Sequence, residues 1–283
     1  MYKLLDGKIV SNKILEELKC KVSSLKSIGK KISLCDILVG NDEASIVYIN
    51  NKKKKCEEVG ITFDLQRFND DVSEDELLDF IMEKNNDKNT NAIFVEMPLP
   101  KHINVNKVID SIDYRKDVDG FSVKNIGSLV ANKDCLLPCT ASGIYELLKV
   151  YNIDVKSKNC VILGRSNIVG KPIANILLNN DATVTICHTK TKDIKSYTKM
   201  ADILVVATRN PRSIDETYIK EGAIVVDVGI HRIENNGNKI ICGDVDFERV
   251  KEHVSYITPV PGGVGSMTTV MLIKNCVDTL KYE

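Results

Sequence analysis

Short β-branched runs alternate with amphipathic segments along most of this chain, and that alternation limits the fold more than any other feature. Strand-like runs cover Ile32 to Val39, Ile61 to Phe68, Ala92 to Val95, Asn159 to Leu163, Thr183 to Ile186, Ile203 to Ala207 and Ile224 to Val228. Helical spacing occupies Ser11 to Ser27, Glu43 to Val59, Ser73 to Glu83, Ser142 to Val150, Val169 to Leu178 and Asp215 to Lys220. Ser73-Glu74-Asp75-Glu76 has the order of a capping box. Strand and helix in turn predict an α/β fold with largely parallel sheets, because parallel neighbours need a crossover that is usually a helix. A length of 283 residues suits two domains, each able to bury its own core. No low-complexity linker separates them, so the boundary near Leu137 rests on motifs.

Charge excludes more than it suggests. The 39 basic and 39 acidic residues cancel, and only Lys52 to Lys55 form a local excess, which argues against nucleic acid or an anionic membrane as partner. The nine cysteines are scattered without a C-x-x-C pair and sit mostly in apolar runs such as Cys160-Val161-Ile162-Leu163, as reduced, buried side chains do. His102, His188, His231 and His253 lack ligand spacing to one another or to cysteine, so no metal site is expected. With no signal-peptide core and no apolar run long enough to span a bilayer, the expected location is cytoplasmic.

Three segments carry candidate chemistry. Thr258 to Thr268 holds two prolines and three glycines, a backbone suited to a shaped loop, either one that approaches a ligand closely or a rigid turn, before a helix at Met271-Leu272-Ile273. The strand at Asn159 to Leu163 runs into Gly164-Arg165-Ser166-Asn167-Ile168-Val169-Gly170-Lys171-Pro172 and then an apolar helix. That order places a pyrophosphate at a helix N-terminus, although the G-x-G-x-x-G spacing is not kept. After the next strand, Cys187-His188-Thr189-Lys190 offers no carboxylate for a ribose hydroxyl; with Arg165 it suits a 2′-phosphate, so NADP is favoured over NAD. Tyr48 and Lys52, four residues apart, project from one helix face, which on spacing alone fits an ordinary amphipathic pair. Asp117-Val118-Asp119-Gly120, taken bare, reads as a turn or a fragment of a calcium loop, although it lacks the further oxygen ligands and terminal glutamate of the latter.

Taken together these segments resemble the methylenetetrahydrofolate dehydrogenase/methenyltetrahydrofolate cyclohydrolase family. Pro259 to Thr268 is similar to its PVPGGVGPMT signature, with Ser266 in place of proline. Gly164 to Pro172 matches its GRSxxVGxP cofactor loop, Ala44 to Lys52 its AS-x-x-Y-V-x-x-K helix, and Lys116 to Phe121 its KDVDGF. Pro138 to Gly143 is similar to PCTP-x-G with Ala141 replacing proline, and Val225 to Ile230 and Gly243 to Val245 resemble segments near the nicotinamide. The resemblance implies two α/β domains with a cleft between them. Residues 1–137, completed by 264–283, form the catalytic, folate-binding domain, and 138–263 form a Rossmann-type NADP domain.

It further implies tetrahydrofolate derivatives as substrates and a homodimer. Catalytic roles fall to Lys52, Tyr48, Glu96 and Asp119, and folate contacts to Tyr48, Lys52, Asp119, Pro261, Gly262 and Gly263. Cofactor contacts fall to Gly164, Arg165, Ser166, Val169, Gly170, His188, Thr189 and Ile230. The expected reactions are NADP-dependent oxidation of 5,10-methylenetetrahydrofolate and hydrolysis of the methenyl product to 10-formyltetrahydrofolate.

Two departures matter. The family's VGKPG-type loop is replaced by Ala207-Thr208-Arg209-Asn210-Pro211-Arg212, and Val95-Glu96-Met97-Pro98-Leu99-Pro100 stands for VQLPLP, so Glu96 replaces a neutral glutamine. An ionised Glu96 beside Lys52 would raise the lysine pKa and slow hydrolysis more than hydride transfer. A monofunctional dehydrogenase is therefore the first alternative. A non-catalytic folate-binding relative and an unrelated Rossmann oxidoreductase acting on a small acid are more remote.

Overall fold

The computed structural model describes residues 2–235 and 238–282. Residues 1 and 283, which end the expected segments 1–137 and 264–283, lie outside the described residues. In order the elements are β1 (Lys3–Leu4), α1 (Gly7–Ser27), β2 (Ser33–Val39), α2 (Glu43–Val59), β3 (Thr62–Phe68), α3 (Glu74–Asn86), β4 (Ala92–Val95), α4 (Val105–Ser111), α5 (Val123–Val130) and α6 (Cys139–Val150). There follow β5 (Asn159–Leu163), α7 (Gly170–Asn179), β6 (Thr183–Cys187), α8 (Ile194–Thr198), β7 (Ile203–Val206), β8 (Ala223–Asp227), β9 (His231–Asn235), β10 (Asn238–Cys242), α9 (Phe247–Val250), β11 (Val254–Ile257) and α10 (Val264–Asp278). The Ser73 hydroxyl caps α3 by accepting from Glu76 N–H at 3.1 Å, as the capping-box order predicts.

The chain divides into two compact units. One comprises residues 13–139 and 269–283 and holds a parallel three-stranded sheet in the order β3-β2-β4. Cys35, Ile37 and Val39 of β2 face one side, packed with Leu77, Ile81, Val95 and Val108. The intervening Leu34, Asp36 and Leu38 must therefore face the other side, and all three are buried. Both sheet faces are covered, as parallel strands require.

The second unit comprises residues 1–12 and 140–268. Its six strands are all parallel, in the order β1-β11-β8-β7-β5-β6. The chain runs from β5 outward to β6 and then returns to β7 on the other side of β5. The strand order thus reverses between β5 and β7, the position at which open α/β sheets bind ligands.

Three expectations change. The first 12 residues group with 140–268 rather than with the expected 1–137 domain. β1 pairs with β11, and Gly7 and Lys8 donate their amide N–H groups to the Gly262 carbonyl at 2.9 and 3.2 Å. A two-residue strand carries no periodicity, so only this long-range pairing reveals it. Helix α10 begins at Val264, so the shaped loop ends at Gly263 and its last five expected residues are helical. Asp215 to Lys220 forms only a 3-10 turn at Glu216–Tyr218, started by Asp215 accepting from Thr217 N–H at 2.9 Å.

Candidate functional site

In the first unit, sheet register assembles a charge cluster. Asp36 of β2 is in register with Phe94 of β4, and in parallel sheets paired residues share a face. Glu96, two residues after Phe94, keeps that face because its N–H continues the ladder to Ile37 O at 2.8 Å. Helix α2 delivers Lys52 onto the same face. Its Nζ lies 2.9 Å from Asp36 Oδ2, 2.9 Å from Glu96 Oε1, and 3.5 Å from the Phe94 ring centroid. Lys52, Asp36 and Glu96 are 3, 0 and 7 % exposed, so water screens the charges little.

Burial alone would lower the Lys52 pKa, but the Asp36 and Glu96 carboxylates outweigh it and hold the amine above its ordinary value. Asp36 is pushed up to about 6, because burial opposes its ionisation more than Lys52 favours it, with Glu96 adding to the rise. Its Oδ1 has no hydrogen-bond partner. Glu96 therefore sits beside Lys52, the arrangement that sets it apart from a neutral glutamine. Asp36 is a second carboxylate that the reading missed, though an aspartate within Ser33-Leu34-Cys35-Asp36-Ile37-Leu38-Val39, a strand buried on both faces, was the available signal.

Tyr48 lies one turn before Lys52 on α2 and is 53 % exposed. The Asp117-Val118-Asp119 segment divides its labour. Asp117 is structural: it accepts from Gly120 N–H at 3.0 Å, Ser122 N–H at 2.8 Å and Asn125 Nδ2–H at 3.0 Å. Asp119 makes no hydrogen bond or ion pair among the described residues, and burial, with the nearby Asp117 charge, pushes it up to about 8. Gly120 permits the turn between them, with φ 74° and a would-be Cβ 2.7 Å from the Leu136 carbonyl oxygen.

The second unit carries the expected cofactor residues. The Gly164 to Gly170 turn joins β5 to α7, and the Ser166 hydroxyl accepts from Val169 and Gly170 N–H at 3.1 and 3.3 Å. Arg165 is exposed and makes no ion pair among the described residues. No acidic side chain stands in the first turn of α7. Gly170 is in contact with the backbone: a Cβ there would fall on the Gly164 carbonyl. Gly170→Ala is expected to lower stability by about 1–3 kcal/mol, the cost of overpacking, and to weaken dinucleotide binding with it; thermal melting with and without NADP checks both.

After β6, His188 Nδ1 accepts from Lys190 N–H at 3.1 Å, which orients the ring, and Thr189 is exposed. Ile230, 56 % exposed, borders a pocket of about 170 Å³ together with Lys8, Asp227, Gly229 and the run Pro259 to Ser266. Pro261, Gly262 and Gly263 thus share a pocket with the end of β8. Two buried aspartates hold this region. Asp227 accepts from Gly229, Asp244 and Val245 N–H at 2.9–3.0 Å. Asp244 accepts from Thr208, Arg209 and Asn210 N–H at 2.6, 3.1 and 3.0 Å and lies 2.7 Å from His231 Nε2. The resemblance near the nicotinamide therefore includes structural bracing by carboxylates.

No helix is long and apolar enough to cross a membrane, and no group of metal-ligating side chains occurs, both among the described residues.

Residues 5–119 match the family model of the tetrahydrofolate dehydrogenase/cyclohydrolase catalytic domain, and 138–283 that of its NAD(P)-binding domain. A bifunctional protein FolD of Agathobacter rectalis is 52 % identical over 281 residues, covering 99 % of this chain and all of the relative. The crystal structure of the Campylobacter jejuni bifunctional enzyme FolD superposes with a TM-score of 0.96 at 48 % identity, covering 100 % of this chain and 99 % of that one. The Trypanosoma brucei methylenetetrahydrofolate dehydrogenase-cyclohydrolase, complexed with NADP and inhibitor, superposes at 0.92 with 33 % identity, covering 99 and 98 %.

Proposed function

We infer, because the chain belongs to the tetrahydrofolate dehydrogenase/cyclohydrolase family, that it oxidises 5,10-methylenetetrahydrofolate with NADP and hydrolyses the methenyl product to 10-formyltetrahydrofolate. The observation that carries this reading is Lys52, buried within a unit matched by the catalytic-domain model and hydrogen-bonded only on its acidic side, near an Asp119 with no partner of its own. An ordinary core does not keep a lysine and three carboxyl groups together without use.

Asp119 accepts two N–H donors from the amino-pyrimidine edge of the pterin, which fixes the ring. Tyr48, one turn before Lys52 on α2, confines the rest of the folate. The turn at Gly164 to Gly170 receives the pyrophosphate, with Arg165, His188 and Thr189 at the 2′-phosphate and Ile230 at the nicotinamide. NADP, when bound, accepts the hydride from the methylene carbon. Oxidation needs no protein base, since the hydride leaves with both bonding electrons and the folate becomes a cation. Hydrolysis does: water adds to the methenyl carbon and gives up a proton, and the bond from that carbon to N5 then breaks as N5 is protonated. Lys52 is the group placed to handle those protons.

The second carboxylate on Lys52 favours a variant of this reading in which hydrolysis is slow at neutral pH. A homodimer in the cytoplasm, serving one-carbon metabolism and purine synthesis, is part of the same proposal. Its support is the family, together with a balanced overall charge that argues against nucleic acid or an anionic membrane as the main partner; light scattering tests the dimer.

Methylenetetrahydrofolate-dependent NADP reduction, followed by absorbance, tests the reading as a whole. A protein that binds tetrahydrofolate derivatives but never reduces NADP would be a binding relative only. For the cofactor, Arg165→Ala is expected to weaken NADP about tenfold and NAD much less, the lower end for a charge-assisted bond at an exposed site. Equal losses for both dinucleotides would remove Arg165 from the 2′-phosphate.

A further inference from the structure

Backbone strain points to a feature of the cofactor site that belongs to this chain's own loop. Seven non-glycine residues have positive φ among the described residues. Five are Asn132, Asn152, Ser157, Asp181 and Asp193, short polar side chains of the kind that bond locally in such turns. The other two are Arg209 at φ 61° and Arg212 at φ 51°, within one loop. When that loop is aligned on Pro211 with the VGKPG pattern it replaces, both arginines stand where glycine would carry no strain. Asp244 holds the loop in this shape through three backbone N–H groups, so the conformation is imposed and the arginines are kept in spite of it. Strained residues of this sort collect at ligand sites.

Place and charge agree. The loop follows β7, and the Gly164 turn follows β5, so the two flank the crevice where strand order reverses. The loops touch, since a Cβ on Gly164 would meet the Ala207 carbonyl. Both guanidinium groups are exposed and neither makes an ion pair or hydrogen bond among the described residues. Mere solubility would be served by any charged residue elsewhere without the strain.

We propose that Arg209 and Arg212 bind a phosphate group of the dinucleotide, forming a second anion clamp on the wall of the β5/β7 crevice that does not carry Arg165. The inference rests on the cofactor reading given above. It explains why strain is tolerated here, because planar guanidinium groups pair with phosphate oxygens in a way that glycine and lysine do not.

Equilibrium titration of NADP and NAD, with melting curves of the cofactor-free protein, tests it in Arg209→Gly, Arg212→Gly and the double variant. Glycine should raise the melting temperature by about 2–4 °C per site as strain is relieved. It should also weaken dinucleotide binding about tenfold for each guanidinium lost. Equal loss for both dinucleotides places the contact on the pyrophosphate, and loss confined to NADP places it on the 2′-phosphate. Arg209→Asn and Arg212→Asn, which tolerate the same backbone without charge, should weaken binding similarly, so a folding effect of glycine is separated out. Stabilised variants with unchanged affinity for both dinucleotides would overturn the proposal. Wild-type protein that binds neither would overturn the cofactor reading instead.

Discussion

Asp119→Asn is expected to cut folate-dependent turnover by roughly 10²–10³-fold in both reactions, an estimate that corresponds to about 3–4 kcal/mol for two charge-assisted bonds. NADP affinity should be nearly unchanged. An amide presents one acceptor where the carboxylate presents two, so it cannot match a pair of parallel N–H donors. A pH signature separates this role from a structural one. In the free protein Asp119 is pushed up to about 8 by burial, with the Asp117 charge adding to the shift. It is therefore protonated at pH 7, and pairing with the pterin edge requires it to lose that proton. Each pH unit below the free-state pKa then costs about 1.4 kcal/mol of folate binding. The folate KM should fall as pH rises from 6 towards about 8 and level off above it, and Asp119→Asn should flatten the dependence. Unchanged dehydrogenase activity in the variant would return Asp119 to the turn that Asp117 already builds.

What the sequence made legible followed chemical type. Strands such as Ala92 to Val95 and Asn159 to Leu163 were read to the residue because β-branched runs end abruptly at polar or glycine positions. The Gly164 and Pro259 segments were readable because few backbones accept such composition. Residues placed by long-range pairing were not readable. Nothing in Lys3-Leu4 announces a partner at Tyr256 and Ile257, so the grouping of residues 1–12 was missed. Asp36 is hidden for a related reason: it meets Glu96 only because β2 and β4 pair in one register, and no motif marks it. The strain at Arg209 and Arg212 is a dihedral property, which composition conceals.

That second carboxylate changes what Glu96 alone can do. With Glu96 as the sole anion beside Lys52, Glu96→Gln would free the amine and restore hydrolysis outright. With Asp36 Oδ2 also 2.9 Å from Nζ, the single substitution leaves one carboxylate in place and should give only a partial gain. Asp36→Asn with Glu96→Gln removes both, after which burial acts unopposed and lowers the lysine pKa. The double variant should hydrolyse methenyltetrahydrofolate at pH 7 roughly 10²-fold faster than wild type, on the estimate of about tenfold per pKa unit and at least one unit per carboxylate. The groups facing Lys52 are Asp36 on β2, Glu96 after β4, Asp119 in the turn, Cys56 on α2, Cys276 on α10, and Cys139 at the start of α6. The three thiols are pushed up by burial and stay neutral at pH 7. The double variant should fold, because Asp36 has a folded pKa raised to about 6 from 3.8. A raised carboxyl contributes stability at low pH that is lost as pH climbs through that window, so an uncharged amide removes a cost at neutral pH. Wild-type hydrolysis should rise close to tenfold per pH unit above 7 as free amine accumulates. NADP reduction at saturating folate, which needs no base, should stay nearly flat, and Lys52→Met should abolish hydrolysis at every pH. Vigorous wild-type hydrolysis at pH 7, insensitive to pH and unimproved by the double substitution, would show that Lys52 works as an ammonium donor and that another group takes the water's proton.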